Sequence, residues 1–92
     1  MRITNSSYLA EAIGTFFFIL SILLSGGNAI IIGGALALII LLIGGISGGN
    51  VNPAVSFGMM LNGSMTCAET IGYIVSQLVG SAGAVWVYRA VA

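Results

Sequence analysis

The chain has 92 residues, 59% hydrophobic and 4% charged, with two Lys/Arg balancing two Asp/Glu for a formal net charge of zero, and its mean hydropathy is +1.17. A soluble domain of this size needs a charged, solvated surface that this composition cannot make, so the bilayer is the solvent it suits. Neutrality leaves no basic patch for nucleic acid or anionic lipid, the absence of His removes imidazole switching, and no cluster of His, Cys or carboxylates stands ready for a metal or cofactor.

The first predicted element is a membrane span from about Tyr8 to Ser25. Arg2 and the run Leu9 to Leu24 have the outline of a cleaved secretory signal. Glu11 interrupts that run, however, and further long apolar segments follow, so we read it as a span. An ionisable group a turn inside a span is costly and usually has a role. Phe16, Phe17 and Phe18 cover most of the helix circumference, so most of them face lipid or other helices. Tyr8 suits an interfacial anchor. Ser25-Gly26-Gly27-Asn28 reads as a tight turn. The second span runs from about Ala29 to Ile46 and is nearly unbroken Ile, Leu, Ala and Gly.

The stretch Ser47 to Leu61 is different in kind. It opens on the turn Gly48-Gly49. Asn52 before Pro53 fits an N-cap followed by proline at the first helical position. The apolar part after Pro53 is only about half a membrane thick, which predicts a re-entrant half-helix that leaves by the face it entered, through a turn at Asn62-Gly63-Ser64. The third full span is predicted from about Thr70 to Val91, with Glu69 solvated just ahead of it, suiting the helix dipole. Gly72, Ser76, Gly80 and Ala84 recur at every fourth position, a small-residue stripe for close helix packing, and Ala10 and Gly14 repeat it weakly in the first span. Gln77, mid-span, has an amide to bond across helices. Trp86 and Tyr88 suit the far interface. Three full spans put the two termini on opposite faces. Cys67 is the single cysteine and cannot form an intrachain disulfide. Two sequons, Asn5-Ser6-Ser7 and Asn62-Gly63-Ser64, are patterns common by chance.

Gly44-Gly45-Ile46-Ser47-Gly48-Gly49-Asn50-Val51-Asn52-Pro53-Ala54-Val55-Ser56-Phe57-Gly58 resembles the first Asn-Pro-Ala loop of the aquaporin and aquaglyceroporin family. Ala10-Glu11-Ala12-Ile13-Gly14-Thr15-Phe16 resembles that family's first helix, and Gly72 to Gly80 its third. The resemblance covers nearly the whole chain, which corresponds to one half of the family's duplicated architecture. It implies an all-α membrane protein with three transmembrane helices and one re-entrant half-helix over residues 1–92, and we expect that unit to be complete. It implies that Asn52, Pro53 and Ala54 stand in the pore. Ile32, Gly48, Gly49, Asn50 and Val55 are candidates for its lining or its filter, and Glu11, Thr15 and Gln77 for supporting the loop. Two departures stand out. Gly45 and Asn50 occupy positions in a loop where the family often has His, and Val55 follows the Asn-Pro-Ala triplet where the family's second loop typically carries Arg. Ile32 falls where a filter aromatic often stands. A wider, more apolar constriction follows.

The physics of such a loop supports a pore. A half-helix starting inside the membrane aims its positive end and its unpaired N–H groups at the midplane. The Asn52 amide can donate to a passing oxygen while its carbonyl is held by backbone. Two such ends meeting would repel cations and break a proton-conducting water chain while neutral molecules pass. One copy cannot enclose a pore. Arg2 and Arg89 flank opposite ends and are the only basic residues, so the positive-inside rule has almost no bias to act on. The expected partner is therefore a second, antiparallel copy within the bilayer, with four such pairs as the family's tetramers imply. The expected permeant is water or a small neutral solute such as glycerol. Two readings compete: a dual-topology transporter that couples proton movement through Glu11, and a non-conducting fragment or subunit of a larger channel. No nucleophile–base pair points to an enzyme.

Overall fold

The structure, a computed structural model, describes all 92 residues and is entirely helical, without strands. Helix α1 spans Asn5–Leu24, α2 Ala29–Ser47, α3 Pro53–Leu61 and α4 Cys67–Val91. Three of the four, α1, α2 and α4, are long and apolar enough to cross a membrane. At 1.5 Å per residue the 20 residues of α1 reach about 30 Å, the thickness of the hydrocarbon core. The nine residues of α3 reach about 13 Å, less than half of it.

Local chemistry sets the helix ends. The turn between α1 and α2 uses Gly26 and Gly27 at φ +63° and +83°, a left-handed conformation that glycine enters without a Cβ penalty. Asn28 then caps α2, its side-chain oxygen accepting from Ile30 N at 3.0 Å and Ile31 N at 3.1 Å. α4 begins three residues ahead of the predicted span. Thr66 Oγ1 accepts from Glu69 N at 3.1 Å while Glu69 Oε1 accepts from Thr66 N at 2.9 Å. This reciprocal box places Glu69 inside the first turn, tied to backbone, and not solvated ahead of the helix as the sequence suggested. α1 likewise starts three residues early, where Ser7 Oγ accepts from Thr4 N at 3.0 Å.

The helices line up in space as α2, α1, α4 and α3, because α1 packs against both long helices while α3 packs against α4 alone. The small-residue stripe of α4 lies against α1. A Cβ on Gly80 would run into the Ala12 carbonyl oxygen, and one on Gly72 into the Tyr8 ring. Glycine therefore lets the two backbones cross closely, as small-xxx-small packing requires. Gly14 serves α1's other side. A Cβ there would come within 2.6 Å of Ile43 Cδ1 on α2 and 2.9 Å of Val51 Cγ1 in the loop. The remaining face of α1, carrying Ser7, Glu11 and Thr15, is buried and polar. It meets the non-helical segment 48–52.

Candidate functional site

The segment between α2 and α3 doubles back through backbone conformations that a helix cannot supply. Gly48 (φ +90°), Gly49 (φ +65°) and Val51 (φ +45°) all lie in the left-handed region. Gly49 is required twice over, since a Cβ would also stand 3.2 Å from Ile40 Cα. Val51 is β-branched, and a positive φ is strained for such a residue. Its side chain is buried.

Glu11 holds this strained backbone in place. Its Oε1 accepts from Val51 N at 2.8 Å and from Gln77 Nε2 at 2.9 Å, and its Oε2 from Ser47 Oγ at 2.6 Å and Asn50 N at 3.0 Å. Four donors from α2, the loop and α4 thus meet on one carboxylate that is fully buried. An isolated buried charge would be prohibitive, and these bonds meet the condition for keeping one. Gln77 also donates to Ser56 Oγ at 2.8 Å, which ties α4 to α3. Asn50 Nδ2 reaches the same Ser56 Oγ at 3.0 Å and Met65 Sδ at 3.5 Å.

Four residues that sequence reasoning passed over complete this network. Ser47 and Ser56 are buried hydroxyls already named as partners. Tyr73, fully buried, donates from its hydroxyl to Ser47 O at 2.6 Å. Ser7 donates to Ile46 O at 2.7 Å. The usable signal was spacing: Ser7 lies four before Glu11, and Tyr73 four before Gln77, each on the helical face of a residue already singled out.

Asn52 caps α3 with its side-chain oxygen, which accepts from Ala54 N at 2.8 Å, and Pro53 occupies the first helical position. Ser56 N closes the first backbone turn onto Asn52 O at 3.1 Å. Neither the Asn52 Nδ2 group nor the Val55 N–H has a partner in the protein. The Asn52 backbone N–H has none either, so three donor groups are left at the positive end of α3, on residues that are exposed. Beside them lies a cleft of about 220 Å³. Thr15, Val51, Asn52, Pro53, Gln77 and Ser81 line it together with Phe18, Ile19 and Leu78.

The structure thus brings Glu11, Gln77 and the backbone of Asn50 into direct contact, and sets Thr15 beside Asn52 and Pro53 across the cleft. Ala54 and Val55 are exposed on the first turn of α3. Gly48 is exposed at the start of the loop, whereas Gly49 is buried against Ile40 and the Asn50 side chain turns toward Ser56. Ile32 stands apart from all of these. It sits in the first turn of α2, about 22 Å along the helix from Ser47 at 1.5 Å per residue. No cluster of three or more His, Cys, Asp or Glu side chains is present.

Comparison with curated proteins finds short, strong similarities. A glycerol uptake facilitator protein-like 6 of Lactiplantibacillus plantarum is 50% identical over 38 residues, 41% of this chain and 18% of that protein. Aquaporin TIP2-1 of Arabidopsis thaliana is 43% identical over 44 residues, 48% of this chain and 18% of its own length. Aquaporin PIP2-7 of the same plant is 43% identical over 37 residues, 40% of this chain and 13% of its own. The chain thus covers less than a fifth of each of these relatives. No solved structure matches it. The family model described as Major intrinsic protein matches residues 3–92, nearly the entire sequence. The chain is an integral membrane protein that belongs to the major intrinsic protein family.

Proposed function

We propose that this chain forms, with a second copy packed antiparallel to it, a passive channel for water or a small neutral solute such as glycerol. The observation that carries the reading is the open end of α3. Asn52 spends its oxygen on Ala54 N at 2.8 Å and keeps its amide donors free, with the Val55 N–H unpaired beside it. Irregular backbone at membrane depth is tolerated where it lines a water-filled path or is buried in protein, and this end is neither within one copy. Donors at the positive end of a helix suit a passing hydroxyl oxygen and repel cations. The family membership and the relatives' names, glycerol uptake facilitator-like and aquaporin, support both permeants. No Arg follows the triplet, and Ile32 offers no aromatic edge. Both features favour a constriction wide enough for glycerol.

We favour the passive reading over proton coupling through Glu11. Four donors fill its carboxylate, so carrying a proton there would break at least one of those bonds. One second reading is a non-conducting fragment or subunit of a larger channel, which the short coverage of the relatives supports.

The test is reconstitution of the purified protein in liposomes, with shrinkage followed by stopped-flow light scattering under an impermeant osmolyte and then under glycerol. Asn52→Asp keeps the capping oxygen on Ala54 N and replaces the free donor by an acceptor. Water flux above protein-free liposomes, falling about tenfold in the variant, corresponds to ~1.4 kcal/mol on the barrier and is the expected result. Folded protein without flux points to the second reading. Flux that requires a proton gradient would overturn the passive mechanism.

A further inference from the structure

We propose that the groove between the start of α1 and the end of α2 binds one glycerophospholipid, with an acyl chain along the groove and the phosphate on Arg2. Ser6, Leu9, Ala10 and Ile13 of α1 and Ile43 and Ile46 of α2 enclose a groove of about 270 Å³. From Ser6 to Ile13 it runs about 10 Å at 1.5 Å per residue, about two-thirds of one leaflet of a hydrocarbon core roughly 30 Å thick. Leu9 and Ile13 are exposed along it, so the protein does not cover this wall itself.

The groove has one polar end. Ser6 stands there with its hydroxyl unpartnered, whereas Ser7 beside it is closed on Thr4 N and Ile46 O. Beyond Ser6 comes Arg2. Thr4 caps α1, and a Cβ on Gly48 would stand 3.5 Å from Met1 Cε. Residues 1–4 therefore run between the end of α2 and the start of α1, the two elements that form the mouth of the groove. Arg2 lies exposed within that crossing. Hydrocarbon, hydroxyl and cation follow one another in the order of acyl chain, ester and phosphate in a glycerophospholipid. A serine hydroxyl donates to an ester carbonyl, and a guanidinium meets phosphate oxygens through two parallel bonds.

Arg2 has no anion of its own. The chain carries two side-chain carboxylates. Glu11 is buried on four other donors, and Glu69 accepts from Thr66 N in the cap of α4. A second copy brings the same two, equally engaged, so its helix in the groove would cover the wall and leave Arg2 unanswered. One guanidinium is no basic patch and does not require a net-negative lipid, because every glycerophospholipid carries the phosphate. The larger groove of about 470 Å³ between α1 and α2 has no such end. Ser21 there spends its hydroxyl on Phe18 O at 2.6 Å, and no lining residue is charged.

The site stands whether or not the chain conducts, so it is tested by binding. The whole protein, delipidated in detergent, is titrated with phosphatidylcholine and separately with diacylglycerol of the same chains, and native mass spectrometry counts the lipids on each copy. The expected result is one phosphatidylcholine per copy held about tenfold more tightly than any further one, and about tenfold more tightly than diacylglycerol. Arg2 lies ahead of α1, so Arg2→Gln leaves the helices intact. It should bring the first phosphatidylcholine down to the affinity of diacylglycerol, while Arg89→Gln at the far end of α4 leaves it unchanged. Ile13→Trp, which fills the groove, should also weaken it about tenfold, and Leu38→Trp in the larger groove should not. Equal affinity for the two lipids, or an Arg2→Gln variant that binds like the parent, overturns the phosphate contact. A first lipid indifferent to Ile13→Trp in protein whose circular dichroism matches the parent, or weakened equally by Leu38→Trp, overturns the groove.

Discussion

Glu11 holds the loop to the helices through charge-assisted bonds, and that role sets what a conservative change does. Glutamine has the same shape but one acceptor oxygen, so in Glu11→Gln two of the four converging donors face an amide NH2. At roughly 1–3 kcal/mol for each buried donor left unmet, the variant loses about 3 kcal/mol or more. Its thermal midpoint in detergent should fall by more than 10 °C, at about 4–8 °C per kcal/mol for a chain of this size. A midpoint within a few degrees of the parent would mean that the loop is held by packing alone. Val51 makes a subtler case. Its φ of +45° opposes its side chain, while that side chain fills the space beside Gly14. Val51→Ala loses the packing and keeps the strain. Val51→Gly removes more atoms but relieves the strain, so it should be the more stable of the two by about 1 kcal/mol, read from paired melting curves. Glu11 was legible in the sequence because an ionisable residue inside an apolar run demands explanation. Ser47, Ser56 and Ser7 were not, because a small hydroxyl in an apolar helix looks like any small packing residue until its partner is known. The strain at Val51 was hidden more deeply, since valine is the residue type least associated with a left-handed backbone.

Among the elements, the contact between α1 and α4 is the one with least room. A methyl added at Gly80 meets the Ala12 carbonyl oxygen, a backbone atom that cannot move without the whole helix, whereas one at Gly83 meets the Phe16 ring at 3.5 Å, an ordinary contact. Gly80→Ala should therefore part the two helices and lower the thermal midpoint, while Gly83→Ala leaves it unchanged or raises it slightly through better helix propensity. Equal effects would show that the crossing adapts. The existence and order of the four helices were legible because three apolar stretches have the length of a span and one is too short. Their starts were not, because a polar residue ahead of an apolar run reads as loop. Only the reciprocal bonds of Thr66 with Glu69 and the bond between Thr4 and Ser7 draw those residues into α4 and α1. At α3 the signal was unusually direct. Asn52 followed by Pro53 announces a helix start with its own cap, and the structure has that cap at 2.8 Å.

For the whole molecule, the open arrangement of the helices makes the number of copies a measurable quantity. α2 packs on α1 alone and α3 on α4 alone. Ile30, Leu41, Leu42, Phe57 and Leu61 are left uncovered at the two ends of the row. Lipid can cover apolar side chains, but it cannot satisfy Asn52 Nδ2 and the Val55 N–H, and in the function proposed above a second copy meets them across the α3 ends. If two copies make one path, flux per vesicle rises as the square of protein density while most copies are unpaired, then becomes linear once pairs saturate. A path made by one copy would be linear throughout. Antiparallel pairing adds an independent signature. Cys67 is the single cysteine, is exposed, and begins α4 at one end of its span. In sealed right-side-out membrane vesicles, a membrane-impermeant maleimide should label about half of it when copies insert both ways, as the near-absence of orienting charge predicts. Labelling of all of it or none, together with second-order flux, would keep the pair but make it parallel. The two donor-bearing ends would then have to meet from the same side of the bilayer.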